Sequence, residues 1–144
     1  MAAEKKRGAR SLTLRVLSPL GAIVDAEVSS VTLPGLYGDF TVLADHHDTV
    51  AQLGSGIAHY AANGERRFLS VHGGVATVQG DRIEVCSPIC ELAEEIDEER
   101  AAQARQRAEE RLAEKTEDMD IARAQAALSR ALLRLEAAQL TRTT

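Results

Sequence analysis

Aromatic residues are scarce in this chain, with no tryptophan, two tyrosines and two phenylalanines among 144 residues, which leaves Phe40 as one of four rings able to anchor a core. Long apolar runs are missing. None approaches the ~20 residues a helix needs to cross a bilayer, and the basic opening, Lys5, Lys6, Arg7 and Arg10, has no apolar stretch behind it of the kind that directs export. The expectation is a protein that stays where it is made. Cysteine occurs twice, at Cys86 and Cys90; a C-x-x-x-C spacing with no neighbouring histidine fits neither a zinc knuckle nor a redox pair and points to reduced thiols in a reducing cytoplasm. Overall positive charge is absent too. The formal net charge is −5, and residues 91 to 140 hold 8 Lys or Arg against 13 Asp or Glu, so no nucleic-acid footprint is supported and any anion site must be local. No Walker-type phosphate loop, G-x-S-x-G elbow or paired acid cluster is found, nor an internal repeat or low-complexity tract. His46-His47-Asp48 could bind a metal or relay protons, but neighbours on a strand point to opposite faces, so no metal is expected there. His59 and His72 read as strand residues.

What the chain does contain falls into two parts. With 44% hydrophobic and 27% charged residues it is globular rather than disordered, and long enough for one domain or two small ones. Residues 1 to 10 read as a flexible lead-in. From Ser11 the pattern has period two, with Leu12, Leu14 and Val16 alternating against Thr13 and Arg15 before a Pro19-Leu20-Gly21 turn. Ile23 to Leu33 reads as one strand stopped at Pro34-Gly35, and Gly38 to Leu43 as the next. Gly54-Ser55-Gly56 and Gly73-Gly74 read as further breaks, and Asn63-Gly64 and Gly80-Asp81 as two-residue hairpin turns. Short strands at this spacing indicate an antiparallel sandwich or flattened barrel occupying residues 11 to 90, closed by Ser87-Pro88.

The second part, residues 91 to 144, reads as two amphipathic helices separated by a polar break at Lys115 to Asp120. Leu92, Ile96, Ala104, Ala108 and Leu112 collect on one side of the first; Ile121, Ala124, Leu128, Ala131, Leu132 and Leu135 do so on the second. Such a pair should fold back as an antiparallel hairpin, weakly seamed because alanine buries few methylenes. Arg100, Arg107 and Arg111 stand at spacings of seven and four, and Arg123, Arg130 and Arg134 repeat them. Guanidinium groups suit phosphate oxygens; the plainer reading is two solvated faces.

Two segments resemble the epsilon subunit of bacterial and chloroplast F-type ATP synthases. One is Val28 to Gly35 followed by Gly38 to Leu43; the other is Ile96-Asp97-Glu98-Glu99-Arg100-Ala101, which matches an I-D-x-x-R-A nucleotide-binding motif, with Arg107, Arg130 and Arg134 in register. The resemblance implies an α+β protein: an N-terminal antiparallel β-sandwich of about ten strands, then a C-terminal two-helix hairpin. It implies a non-catalytic subunit of the rotating central stalk, peripheral at the cytoplasmic face of the bacterial plasma membrane, reaching the membrane only through the complex. The sandwich would bind the gamma subunit and the c ring through Leu33, Pro34, Gly35, Gly38, Phe40 and His46. The hairpin would brake ATP hydrolysis when extended toward the alpha and beta subunits. No cofactor is required, and ATP is expected as a regulatory ligand, with Ile96 and Asp97 toward adenine, Glu91 toward base or ribose, Ala101 within the motif, and Arg100, Arg107, Arg130 and Arg134 toward the phosphates.

One segment departs from that family. Ala44-Asp45-His46-His47-Asp48 stands where the family has Pro-Gly-His-x-Pro, keeping a histidine and lacking both prolines, which alters the charge of the ring-facing loop. The alternatives are a stand-alone ATP-sensing interaction module and a small hydrolase built on the His46 loop; the latter lacks a nameable nucleophile and base.

Overall fold

The computed structural model describes residues 11 to 114 and 120 to 143. The expected lead-in at 1 to 10, and the polar break except for Asp120, lie outside the described residues. Two compact units divide between Leu92 and Ala93.

The first unit is built from eight strands: β1 (Leu12–Ser18), β2 (Gly21–Val28), β3 (Ser30–Gly35), β4 (Gly38–Val42), β5 (Thr49–Ala62), β6 (Glu65–Gln79), β7 (Arg82–Cys86) and β8 (Cys90–Leu92). Hydrogen bonding runs β2-β1-β7-β6-β5-β3-β4, with β8 also on β6. All neighbours are antiparallel except β1 and β7, which pair in parallel from Thr13 opposite Arg82 to Leu17 opposite Cys86, so the expected wholly antiparallel sandwich needs that correction. β2 and β5 share no ladder yet pack against each other, closing an aliphatic core of Leu12, Leu14, Val31, Leu33, Leu69, Ile83 and Val85, each no more than 2% exposed. At ~25 cal/mol per Å² of apolar surface removed from water, this core supplies the driving force of the unit. Of the four rings, Tyr60 and Phe68 are buried, Phe40 packs at the margin, and Tyr37 is fully exposed.

The strand count is eight rather than ten, and the glycines explain why. β5 and β6 are 14 and 15 residues long and keep one register from Thr49 opposite Val78 to Ala62 opposite Glu65. The ladder skips Gly54 and Gly73, which stand opposite in that register without pairing, so what reads as two chain breaks is one corner. The lower half of β6 pairs with β8 and the upper half with β7, which lets one strand serve both layers. Gly74 has φ of +120°, and a Cβ there would strike the Cys86 carbonyl oxygen and Ser87; only glycine fits both demands. The buried Ser87 hydroxyl donates to the Gly73 carbonyl at 2.7 Å, pinning the corner to the exit from β7. Conversely, the single expected strand Ile23 to Leu33 is two, split at Ser29. Pro34-Gly35 belongs to β3, and the turn is Leu36-Tyr37. Pro19-Leu20, Asn63-Gly64 and Gly80-Asp81 are turns as expected, with Asn63 at φ +53° and Gly64 at +78°.

Pro88 does not close the sheet. The chain makes one further strand, β8, in which Glu91 pairs opposite Ser70 and Leu92 opposite Leu69; a three-residue strand is too short to show a period. A 3₁₀ turn comes next at Ala93–Glu95, then helices α1 (Glu98–Glu114) and α2 (Ile121–Thr143). The first helix thus starts seven residues later than its apolar spacing from Glu91 indicates.

Replacing Gly74 with Ala is expected to cost about 2–5 kcal/mol from combined backbone strain and overpacking. The urea midpoint of the full chain should fall accordingly, whereas Gly80→Ala, with φ +60° and nothing within 4 Å of the new Cβ, should shift it much less. Equal shifts would remove the corner from its structural role.

Candidate functional site

In the second unit both helices begin the same way. Asp97 Oδ1 accepts the Arg100 backbone N–H at 3.1 Å, and Asp120 Oδ1 accepts that of Arg123 at 3.0 Å. The Asp97 and Asp120 carbonyls accept the Ala101 and Ala124 N–H groups at 3.0 and 3.1 Å. These are N-caps, satisfying donors that the first turn leaves without a helical partner. Past the caps, both helices are rich in alanine, glutamate, arginine and leucine, all strong helix formers. The Arg142 guanidinium meets Glu98 at 3.0 Å, tying the end of α2 to the start of α1 as an antiparallel pair.

The fully buried side chains of the two helices are alanines: Ala101 and Ala108 on α1, and Ala124, Ala131, Ala137 and Ala138 on α2. Ala104, Leu112, Leu128 and Leu135 are half-buried. Ile121 and Leu132, expected inside, are 50% and 42% exposed, because the seam turns toward the alanines and leaves those two on its outer flank. Leu92 is in β8, and Ile96, 9% exposed, precedes α1.

The helix geometry then places the arginines. At 100° per residue, Arg100, Arg107 and Arg111 lie about 60–100° to one side of the Ala108 direction, and Arg123, Arg130 and Arg134 lie at the same angles from Ala131. Because the helices run antiparallel, equal angles put both rows on the same face of the hairpin. Arg100, Arg107, Arg111 and Arg123 are exposed; Arg130 and Arg134 are half-buried. The ion pairs Arg105–Glu109, at 2.9 Å, and Arg142–Glu98 lie toward the opposite side of the seam.

The nucleotide motif divides accordingly. Ile96 is buried, Asp97 is an N-cap and Ala101, 0% exposed, is in the seam, so three of its residues have structural duties. Arg100 is left on the surface beside Arg107, Arg130 and Arg134. Glu91 lies in β8 of the first unit rather than in a helix.

Of the expected partner surface, Leu33 and Pro34 are buried, Leu33 in the core and Pro34 with its Cβ pressed toward Gly56, and neither presents a side chain outward. Phe40 and Gly35 are half-buried and Gly38, with φ +135°, is exposed. What this segment offers instead is Leu36 and the fully exposed Tyr37, missed because Pro34-Gly35 looked like the turn. His46 lines an open cleft of about 550 Å³ with Asp45, Asp81 and Ser11. Its Nδ1 lies 2.7 Å from the His47 carbonyl, and Asp48 accepts the Gly80 N–H at 3.0 Å, so the loop is fastened to the β6–β7 turn. Among the described residues no group of three His, Cys, Asp or Glu is arranged for a metal. Burial, reinforced by Arg66, disfavours the charged form of His59, and burial raises the Cys90 thiol, which disfavours the reactive thiolate. Both cysteines are free thiols.

Comparison with known proteins runs through both units. The family model described as "ATP synthase, Delta/Epsilon chain, beta-sandwich domain" matches residues 11–93, and that described as "ATP synthase, Delta/Epsilon chain, long alpha-helix domain" matches residues 94–139. The chain belongs to the epsilon-chain family of bacterial ATP synthases. It is 41% identical over 126 residues to the ATP synthase epsilon chain of Nitratidesulfovibrio vulgaris, covering 88% of this chain and 94% of that one. With the epsilon chain of Bacillus licheniformis it shares 35% over 130 residues, covering 90% and 99%. A chain in the mitochondrial ATP synthase of Euglena gracilis has the same fold, with a TM-score of 0.65 at 23% identity over 94% of this chain and 81% of that one. So does one from the central stalk and c-ring structure of the Tetrahymena thermophila enzyme, at 0.54 and 13%, covering 90% and 97%.

Asp97→Ala and Asp120→Ala should each lower helical stability by about 1 kcal/mol through loss of an N-cap, with Asn restoring each. Thermal melts followed at 222 nm check this; no loss at either position would mean that these aspartates do not cap.

Proposed function

We propose that this chain is the non-catalytic epsilon subunit of the central stalk of an F-type ATP synthase, coupling ion-driven rotation to ATP synthesis, and that its hairpin binds ATP and restrains ATP hydrolysis. Family membership along both units supports the first half. The single observation that carries the second is the convergence of Arg100, Arg107, Arg130 and Arg134 from two helices onto one face of a hairpin. A triphosphate touching both rows holds the helices together, and favours the paired form by its differential affinity for it. The alanine seam leaves that form stabilised by little burial, so a ligand worth a few kcal/mol decides the balance. ATP is thus a regulatory ligand that releases the brake, and no cofactor is required.

The sandwich binds the gamma subunit and the c ring, with Leu36, Tyr37 and Gly38 at the β3–β4 turn and His46 in its loop as contact points. Alpha and beta subunits are met when the hairpin is extended. No helix among the described residues is long and apolar enough to cross a membrane; attachment is peripheral, at the cytoplasmic face, through the complex.

The test compares ATP synthase assembled with the full chain and with a chain ending at Leu92. The shortened chain should assemble and raise ATP hydrolysis several-fold. Equal hydrolysis by the two assemblies would remove the inhibitory role, and failure of the shortened chain to assemble would contradict the division of labour between sandwich and hairpin.

A further inference from the structure

Three stretches of the sandwich meet at one open cleft. The Asp81 carbonyl accepts the Thr13 N–H at 2.8 Å, which joins the β6–β7 turn to the start of β1. Asp48 Oδ1 accepts the Gly80 N–H at 3.0 Å, which joins the same turn to the loop at residues 44–48. Between these stretches lies a space of about 550 Å³ bordered by Ser11, Ala44, Asp45, His46, Gly80 and Asp81. Its carboxylates come from two separate segments, Asp45 in the loop and Asp81 in the turn, and no lysine or arginine among the described residues lines it.

Asp45 keeps its place at a conformational cost. Its backbone has φ of +66°, a region that glycine enters freely and a residue with a Cβ does not. It stands where the related Pro-Gly-His-x-Pro run has glycine, so the backbone alone gives no reason for an acid there. The carboxylate does. Strain retained at one position of a loop points to a use for the side chain it carries.

The chain itself supplies the complementary charge. Ser11, at the edge of the cleft, follows directly on Arg10, and Arg7, Lys6 and Lys5 come just before, with no acid among residues 5 to 10. Consecutive Cα atoms are about 3.8 Å apart, so Arg10 starts at the rim, and its long side chain spans the remaining distance to the carboxylates. A guanidinium also matches a carboxylate by shape, offering two parallel N–H donors.

We propose that this cleft is the docking site of the chain's own basic segment, residues 5 to 10, with Arg10 between Asp45 and Asp81 and Arg7 at the outer rim. Because the segment is tethered at Ser11, its effective concentration at the cleft is high and modest contacts hold it. It ties together by charge the same three stretches that the two hydrogen bonds join pairwise. The inference goes beyond the proposed function and does not draw on His46, since the two carboxylates hold the segment.

Limited trypsin digestion of the native full chain, read by mass spectrometry, and backbone amide shifts test this. Cleavage after Arg10 should be several-fold slower than in the Asp45→Asn, Asp81→Asn variant, and the difference should disappear at 1 M salt, where the screening length falls to about 3 Å. Arg7→Gln with Arg10→Gln should move the amides of Ala44, Asp45, Gly80 and Asp81, and should move them far less when both aspartates are already asparagine. Equal cleavage of the full chain and the asparagine variant would overturn the docking. So would the same amide shifts in both backgrounds. Amides at 44–45 and 80–81 that ignore the arginine substitutions would likewise overturn it, and would leave the cleft to a basic group from a partner subunit.

Discussion

Among the described residues, the buried side chains of α1 and α2 are all alanines, and the seam between the helices is built largely from them. Methyl groups let two helices approach closely, and they gain little by it: about 0.8 kcal/mol for each buried carbon, against roughly 1.5–3 for a buried leucine. Leucines are available in α2, yet Leu132 is 42% exposed and Leu128 half-buried. The close approach brings the two arginine rows to the two edges of one face. On the proposed reading, the small gain keeps the paired form within reach of a ligand's binding energy, since a ligand at a hundred times its dissociation constant contributes about 2.7 kcal/mol.

The sandwich rests on a different constraint. Two strands of 14 and 15 residues serve both layers of the unit, and their ladder is interrupted at Gly54 and Gly73.

Much of this was legible from the residues. Period-two alternation marked β1, Asn63-Gly64 and Gly80-Asp81 marked hairpin turns, and apolar residues recurring on one side marked the two helices. The corner was not, because Gly-Ser-Gly and Gly-Gly look alike whether they end a strand or bend it, and only a partner strand decides. β8 was too short for any period, so Glu91 was assigned to a helix when it pairs with Ser70. Within the site, the motif Ile96 to Ala101 was legible as a pattern, while the separate duties of its residues were not: the cap needs Asp97's hydrogen bond, and the seam needs Ala101's burial.

Amide hydrogen exchange of the full chain, with and without ATP at saturating concentration, tests most directly whether a ligand between the arginine rows holds the helices together. Exchange from residues 98 to 114 and 121 to 143 should slow in parallel, by about a hundredfold at a hundred times the dissociation constant, while the sandwich strands stay as they were. Unchanged exchange, or slowing confined to one helix, would contradict it.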